Sequence, residues 1–223
     1  MRKKFLLGLI LFTFFLPLLA CTEKKPVDVP TSKTADTSVH PRDDDINIKH
    51  PTFPEHGIDI NKIIEREANL ALNWYDLSPL YPDDKLSIKI EYEIKMETVD
   101  LLSIVFYGTG FVSGSAHPNE LFYTLNLNPV TGEKIRLVDK VKVDDLFLRN
   151  LRQQAKATLD DRLYGAFVLN YGTDEQLRAY LLTADTLDKG IENQSNVFSY
   201  FTTTSVGISL PIGDFHVEIE MPS

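Results

Sequence analysis

Ser113, Ser115 and His117 stand together in Phe111-Val112-Ser113-Gly114-Ser115-Ala116-His117-Pro118-Asn119, and serine near histidine is the raw material of nucleophilic hydrolysis. The spacing does not complete it. Gly110-Phe111-Val112-Ser113-Gly114 sets the serine one position late for the G-x-S-x-G elbow, and no third group is placed to orient a base. Gly108, Gly110 and Gly114 miss the dinucleotide fingerprint G-x-G-x-x-G, and no phosphate-binding Walker A sequence occurs. His40, His50 and His56 are widely spaced and have no cysteine to support a zinc site. Asp43, Asp45 and Asn47 begin like a calcium loop, but Ile48 and Pro54 stand where Gly and Glu are needed. The pairs Asp83-Asp84, Asp144-Asp145 and Asp160-Asp161 fit turns and helix starts better than glycosidase carboxylates, which must face each other across a cleft. The expectation is therefore no catalytic residue, no metal ligand and no cofactor, with Ser113, Gly114, Ser115, Ala116, His117, Pro118 and Asn119 as a binding or structural loop.

The only cysteine, Cys21, has a different chemistry in view. Arg2, Lys3 and Lys4 precede an almost wholly apolar run from Phe5 to Ala20, the charge and length pattern of a secretory signal. That run is shorter than the ~20 residues a spanning helix needs. Leu18-Leu19-Ala20-Cys21 resembles the bacterial lipobox, in which the cysteine thiol receives diacylglycerol and the signal is removed. The resemblance implies an acyl-anchored, exported protein, with Thr22 favouring the outer membrane over inner-membrane retention in a cell that has two. Acyl chains contribute about 0.8 kcal/mol per buried CH₂, so two or three anchor stably. Removal of residues 1–20 takes three cations and no acid, moving the formal charge from −9 to about −12. Such an acidic chain argues against nucleic acid as partner.

The elements that must carry these residues follow from periodicity. Residues 21–52 hold four prolines among many Ser, Thr, Asp and Lys, and read as a disordered tether reaching roughly 30 Å. A helix is predicted over 60–74, capped by Asp59, from Ile60, Ile63, Ile64, Ala68, Ala71 and Trp74 at helical spacing. Strict alternation from Leu86 to Val99 predicts a strand with one wet face, and strands follow at 101–112, 121–127 and 134–137, with a turn through Asn128–Gly132. Helices are expected at 144–159 and 174–188, the latter with a Thr173/Gln176 capping box. Strands near 198–203, 206–210 and 215–221 end the chain. The fold class is α+β: a mainly antiparallel sheet with three helices packed on it, occupying 53–222 after the signal (1–20) and tether (21–52).

The order of Ser103-Ile104-Val105-Phe106, Ser113-Gly114-Ser115-Ala116-His117-Pro118-Asn119, Tyr123-Thr124-Leu125-Asn126-Leu127 and Thr131-Gly132-Glu133-Lys134-Ile135-Arg136-Leu137, with Leu137-Val138-Asp139 closing it, resembles the RsiV-like family of bacterial envelope domains. Coverage runs from about 52 to 222. Ser115 stands where that family more often has Gly, and the carboxy-terminal loop is shortened to Leu210-Pro211-Ile212-Gly213-Asp214. Members include the ectodomain of a lysozyme-sensing anti-sigma factor and a domain attached to a peptidoglycan deacetylase. Only four residues precede the apolar run here, leaving no anti-sigma segment, and the deacetylase metal motifs are missing from the sequence.

The resemblance implies a stand-alone, non-enzymatic lipoprotein that binds a cationic protein such as lysozyme, or a cell-wall component. Two rivals remain open: a peptidoglycan- or glycan-modifying enzyme, which would need two spaced carboxylates or a metal, and a structural lipoprotein of an envelope complex.

Overall fold

The structure, a computed structural model, describes residues 33–37, 44–54, 59–75, 84–187, 195–213 and 215–222. The signal, Cys21, His40, Asp43, His56 and Asp83 lie outside the described residues. Among those described, no helix is long and apolar enough to cross a membrane.

Among the described residues, eight strands form two sheets. The larger has the order β1 (Lys33–Thr37), β2 (Asp45–Thr52), β3 (Leu86–Glu97), β4 (Leu102–Val112), β5 (Asn119–Leu127), and the smaller is β6 (Phe198–Phe201), β7 (Ser205–Ile212), β8 (Phe215–Pro222). All pairs are antiparallel except β2 and β3, which run parallel. Five α-helices are described: α1 (Ile60–Ala68), α2 (Leu137–Lys140), α3 (Asp145–Thr158), α4 (Asp161–Asn170) and α5 (Asp174–Leu182).

Helix α1 and the 3-10 turn Asn69–Trp74 cover one face of the large sheet. The Asp59 carboxylate caps Lys62 N, and Ile60, Ile64, Ala68 and Ala71 meet Ile88, Ile90, Phe106 and Leu125 in one core. Each fully buried Ile there contributes about 1.5–3 kcal/mol of transfer free energy. Tyr123 of β5 donates its hydroxyl to the Ala68 carbonyl at the end of α1 and stacks on Phe106. On the small sheet, Val206, Ile208, Leu210, Val217, Ile219 and Met221 face the other four helices in a second core. Its opposite face meets the second face of the large sheet, where Phe122 lies 6.4 Å from Phe198.

Several expectations are corrected. The disordered tether does not span 21–52, because Lys33–Thr37 is strand β1 and Asp45–Thr52 is strand β2, with Ile46, Ile48 and His50 of β2 buried. Its run of alternating apolar residues is too short to stand out among prolines and acids, and pairing with β3 supplies what local pattern lacks. Asp45 and Asn47, which the sequence reading already denied a calcium loop, lie in extended backbone, and His50 Nδ1 lies 3.3 Å from the Pro51 carbonyl. Among the described residues there are two sheets rather than one, and five α-helices rather than three. The strand expected at 134–137 is a single bridge from Lys134 to Leu127, after which Arg136 N donates to Asp139 and α2 begins. Helix α4 has no counterpart in the sequence reading: Gly165 within it lowers its helix propensity, and its Val168 and Leu169 are exposed, so no clean apolar stripe marks it. Helix α5 stops at Leu182, six residues before the expected end, because Asp185 takes a left-handed backbone (φ 63°).

Asp144 and Asp160 do cap helices. Asp144 accepts from Leu146 N and Phe147 N, and Asp160 from Leu163 N. Thr173 and Gln176 form their capping box.

Candidate functional site

The loop Ser113–Asn119 joins β4 to β5 at the open end of the large sheet. Ser113 is fixed in both directions: its hydroxyl accepts from Lys85 N at 2.8 Å and its amide donates to the Lys85 carbonyl at 2.8 Å. Gly114 turns the chain at φ 89°, where a side chain would be strained. Ser115, Ala116, His117, Pro118 and Asn119 are exposed, and His117 Nδ1 lies 3.2 Å from the Pro118 carbonyl. No residue in the loop orients His117 toward Ser113 or Ser115, so the geometry builds a turn and leaves a polar rim.

That rim leads directly into Glu120, the second residue of β5. Packing of β5 against β8 brings Glu120 within electrostatic reach of Glu218 across the junction of the two sheets. Glu120 is exposed, yet partial desolvation raises its pKa from the ordinary value, the His216 amide offsets part of that, and the charge of Glu218 adds to it. Two residues on, Glu220 accepts the Tyr200 hydroxyl at 2.9 Å, and its other oxygen is 3.5 Å from Ser205 Oγ. Burial, then the Glu218 charge, drive the Tyr200 phenol far above its ordinary pKa, so it is a donor at any physiological pH. Its ring lies flat over Gly207, where a Cβ would come within 2.0 Å of Cζ, so only glycine lets Tyr200 reach these carboxylates.

Charge is not balanced here. Lys95 lies 5.0 Å above the Tyr200 ring but is ion-paired with Glu93 at 2.8 Å. Among the described residues, Glu120, Glu218 and Glu220 have no salt bridge. Tyr107 of β4 sits diagonally to Glu120 on the same sheet face and is 45% exposed. The arrangement is an acidic surface with an aromatic beside it.

His216 sits underneath. Its ring stacks on Phe122 (5.4 Å) and its Nδ1 is 2.9 Å from Ser209 Oγ. Burial lowers its pKa to about 4, so it is neutral in the fold. Although Ser209 and His216 are hydrogen-bonded, Ser209 is wholly buried and no substrate reaches it. This pair is packing, not a nucleophile.

A second carboxylate at the sheet junction was equally unanticipated. Asp185 accepts from Ser199 N (2.7 Å), Ser199 Oγ (2.7 Å), Leu137 N (2.9 Å) and Thr124 Oγ1 (3.3 Å). Next to it, Asn126 Nδ2 donates to the Ser199 carbonyl at 2.8 Å, and Ser103 Oγ accepts from Phe201 N at 2.9 Å while donating to Asn126 Oδ1 at 2.6 Å. These side chains of the large sheet satisfy the free edge of β6, which would otherwise present unpaired backbone groups. Burial raises the Asp185 pKa and the bonds from Ser199, Leu137 and Thr124 oppose the rise.

Among the described residues, no group of three or more His, Cys, Asp and Glu is placed to hold a metal. The residues the sequence pointed to and those the structure brings together overlap only at the rim: Asn119 adjoins Glu120. Glu218 and Glu220 could have been noticed as the outward acids of the alternating stretch Phe215–Met221, but nothing in their spacing ties them to Glu120.

No family model and no curated protein matches the chain. Solved structures similar to it include two bacterial proteins. One, from Pseudomonas aeruginosa PAO1, is 15% identical, with 86% of this chain and 88% of that chain covered at a TM-score of 0.47. The other, from Bacteroides fragilis NCTC 9343, is 12% identical, with 87% and 91% covered at a TM-score of 0.47. Both are DUF3298 family proteins.

Proposed function

We propose that this chain is an acyl-anchored protein of the bacterial envelope, of the RsiV-like kind, whose domain binds a cationic protein. The observation that carries this reading is the meeting of Glu120, Glu218 and Glu220 at the sheet junction, beside exposed Tyr107 and with no salt bridge of their own among the described residues. Like charges held together cost stability, and an incoming Lys or Arg relieves that cost while the aromatic supplies contact area. The chain's net charge of −9 steers such a partner in. Because a bound cation favours ionised Glu120, binding weakens as pH falls into the raised range of that carboxyl.

Lysozyme is the probe for this reading. The full chain, purified from membranes into nanodiscs, is titrated calorimetrically with lysozyme at low salt. Micromolar or tighter binding that fades with added salt supports the proposal, and no heat at micromolar concentration removes this partner. Anchoring is tested separately. Cys21→Ala should abolish labelling by a palmitate analogue and leave an uncleaved precursor, and persistent labelling would defeat it.

Glu120 also motivates a second reading. An exposed carboxyl whose pKa is raised by partial desolvation, beside a second carboxyl, has the elements of the pairing a glycosidase uses as acid and base. Release of soluble fragments from peptidoglycan, lost in Glu120→Gln, would favour this reading over binding alone.

A further inference from the structure

A cleft of about 690 Å³ opens on another side of the domain, between α3, the β6–β7 turn and the end of β8. Its floor is apolar: Leu101, Phe201, Val206 and Met221 are nearly buried there, with Met96 and Phe147 beside them. The rim carries the amides of Asn150, Gln153 and Gln154 and the hydroxyls of Thr202 and Ser205. The size is that of a small-molecule site, and so is the combination of an apolar floor with a few polar groups.

Charge sets the ligand. The chain has 32 acidic residues against 23 basic ones, yet no Asp or Glu is among the residues lining this cleft, and Lys140 and Lys142 both are. Lys142 has a long surface contact with Asp144 at 3.4 Å, whereas Lys140 has no ion pair among the described residues. An acidic domain has thus kept a locally cationic mouth over an apolar floor.

We propose that this cleft binds a small amphipathic anion, an apolar chain or ring bearing one carboxylate or phosphate. The apolar body lies on Phe201, Val206 and Met221. The anionic head meets Lys140 at the mouth and takes hydrogen bonds from the amides of α3. The site touches the carboxylates of β5 and β8 only through Ser205, whose hydroxyl lies 3.5 Å from Glu220, and its ligand groups, Lys140 and the amides of α3, are separate from them, so its test is distinct from that of the cationic-partner reading.

The test uses the full chain in nanodiscs, with empty nanodiscs as the blank for partitioning. Four probes of matched size are titrated: 4-phenylbutyrate, 4-phenylbutyl phosphate, the neutral 4-phenylbutanamide and the cationic 4-phenylbutylamine. Both anions should bind at least tenfold more tightly than the amide and amine, and the stronger of the two tells a carboxylate from a phosphate ligand. Lys140→Gln should weaken the anions about tenfold and leave the amide unchanged. Asn150→Trp, at an exposed position on the rim, should fill the cleft and abolish binding of all four, with melting unchanged in both variants. Equal affinity for anion and amide, anion binding unmoved by Lys140→Gln, or binding that survives Asn150→Trp would each overturn the proposal.

Discussion

Two sets of acidic side chains meet at the same sheet junction and are treated in opposite ways. Asp185 is buried and saturated by four donors from three separate segments, with Asn126 and Ser103 completing the seam. Glu120, Glu218 and Glu220 sit at the open side of that junction, with the His216 amide on Glu120, the Tyr200 and Ser205 hydroxyls on Glu220, and no cation of their own among the described residues. A carboxylate whose lone pairs are all used holds a fold together. A group of carboxylates left crowded is a cost to the fold, and that asymmetry is the basis for assigning structure to the first set and binding to the second.

The largest effect should come from removing the hub. Asp185→Ala strands four donors in a dry seam and puts Ala in left-handed backbone, at a cost of about 3–5 kcal/mol. Asp185→Asn tolerates the backbone better and keeps one acceptor, so it should cost roughly half as much. Urea denaturation gives both numbers, and a loss under 1 kcal/mol for Asp185→Ala would break the distinction.

A pH titration of stability comes next. His216 is neutral in the fold with its pKa lowered to about 4, against an ordinary value near 6.5. Its contribution is therefore whole above about 6.5 and is lost as pH falls toward 4, at up to about 1.4 kcal/mol per pH unit. Glu120 acts in the opposite sense. Its raised pKa means the fold takes up a proton more readily than the unfolded chain, which offsets part of the acid loss. His216→Phe should flatten the slope between pH 6.5 and 4 and keep the stacking on Phe122; an unchanged slope would show that His216 is not its source.

Asn126→Ala sharpens the comparison from the edge of β6. It leaves the Ser199 carbonyl and Ser103 hydroxyl short of partners, for about 1–3 kcal/mol. The double variant with Ser103→Ala should lose less than the sum, since the two side chains bond each other. Strict additivity in chemical denaturation would contradict a shared network. The smallest effect belongs to His117→Ala: its exposed ring makes a bond to the Pro118 carbonyl in water, so thermal melting should shift by less than about 0.5 kcal/mol.

Much of the scaffold was legible because it obeys local rules. The helical spacing from Ile60 to Trp74, the alternation from Leu86 and the Thr173/Gln176 box each specify their element with neighbours in sequence. Strand β2 and helix α4 obey no such rule, one needing a parallel partner 42 residues away and the other lacking a stripe. Both junction sites were illegible for the same reason. Thr124, Leu137, Asp185 and Ser199 come from four separate stretches, and Glu120 lies almost a hundred residues from Glu218. Only the closing of two sheets makes either set a unit.

The claim that crowded carboxylates are there to bind is tested most directly by Glu120→Gln/Glu218→Gln/Glu220→Gln. Calorimetric titration with lysozyme at low salt and urea denaturation are run on the same preparation. Relief of repulsion should leave stability equal or up to about 1 kcal/mol higher, while affinity falls at least tenfold and most of its salt dependence disappears. Unchanged affinity in a fully folded triple variant would contradict the account.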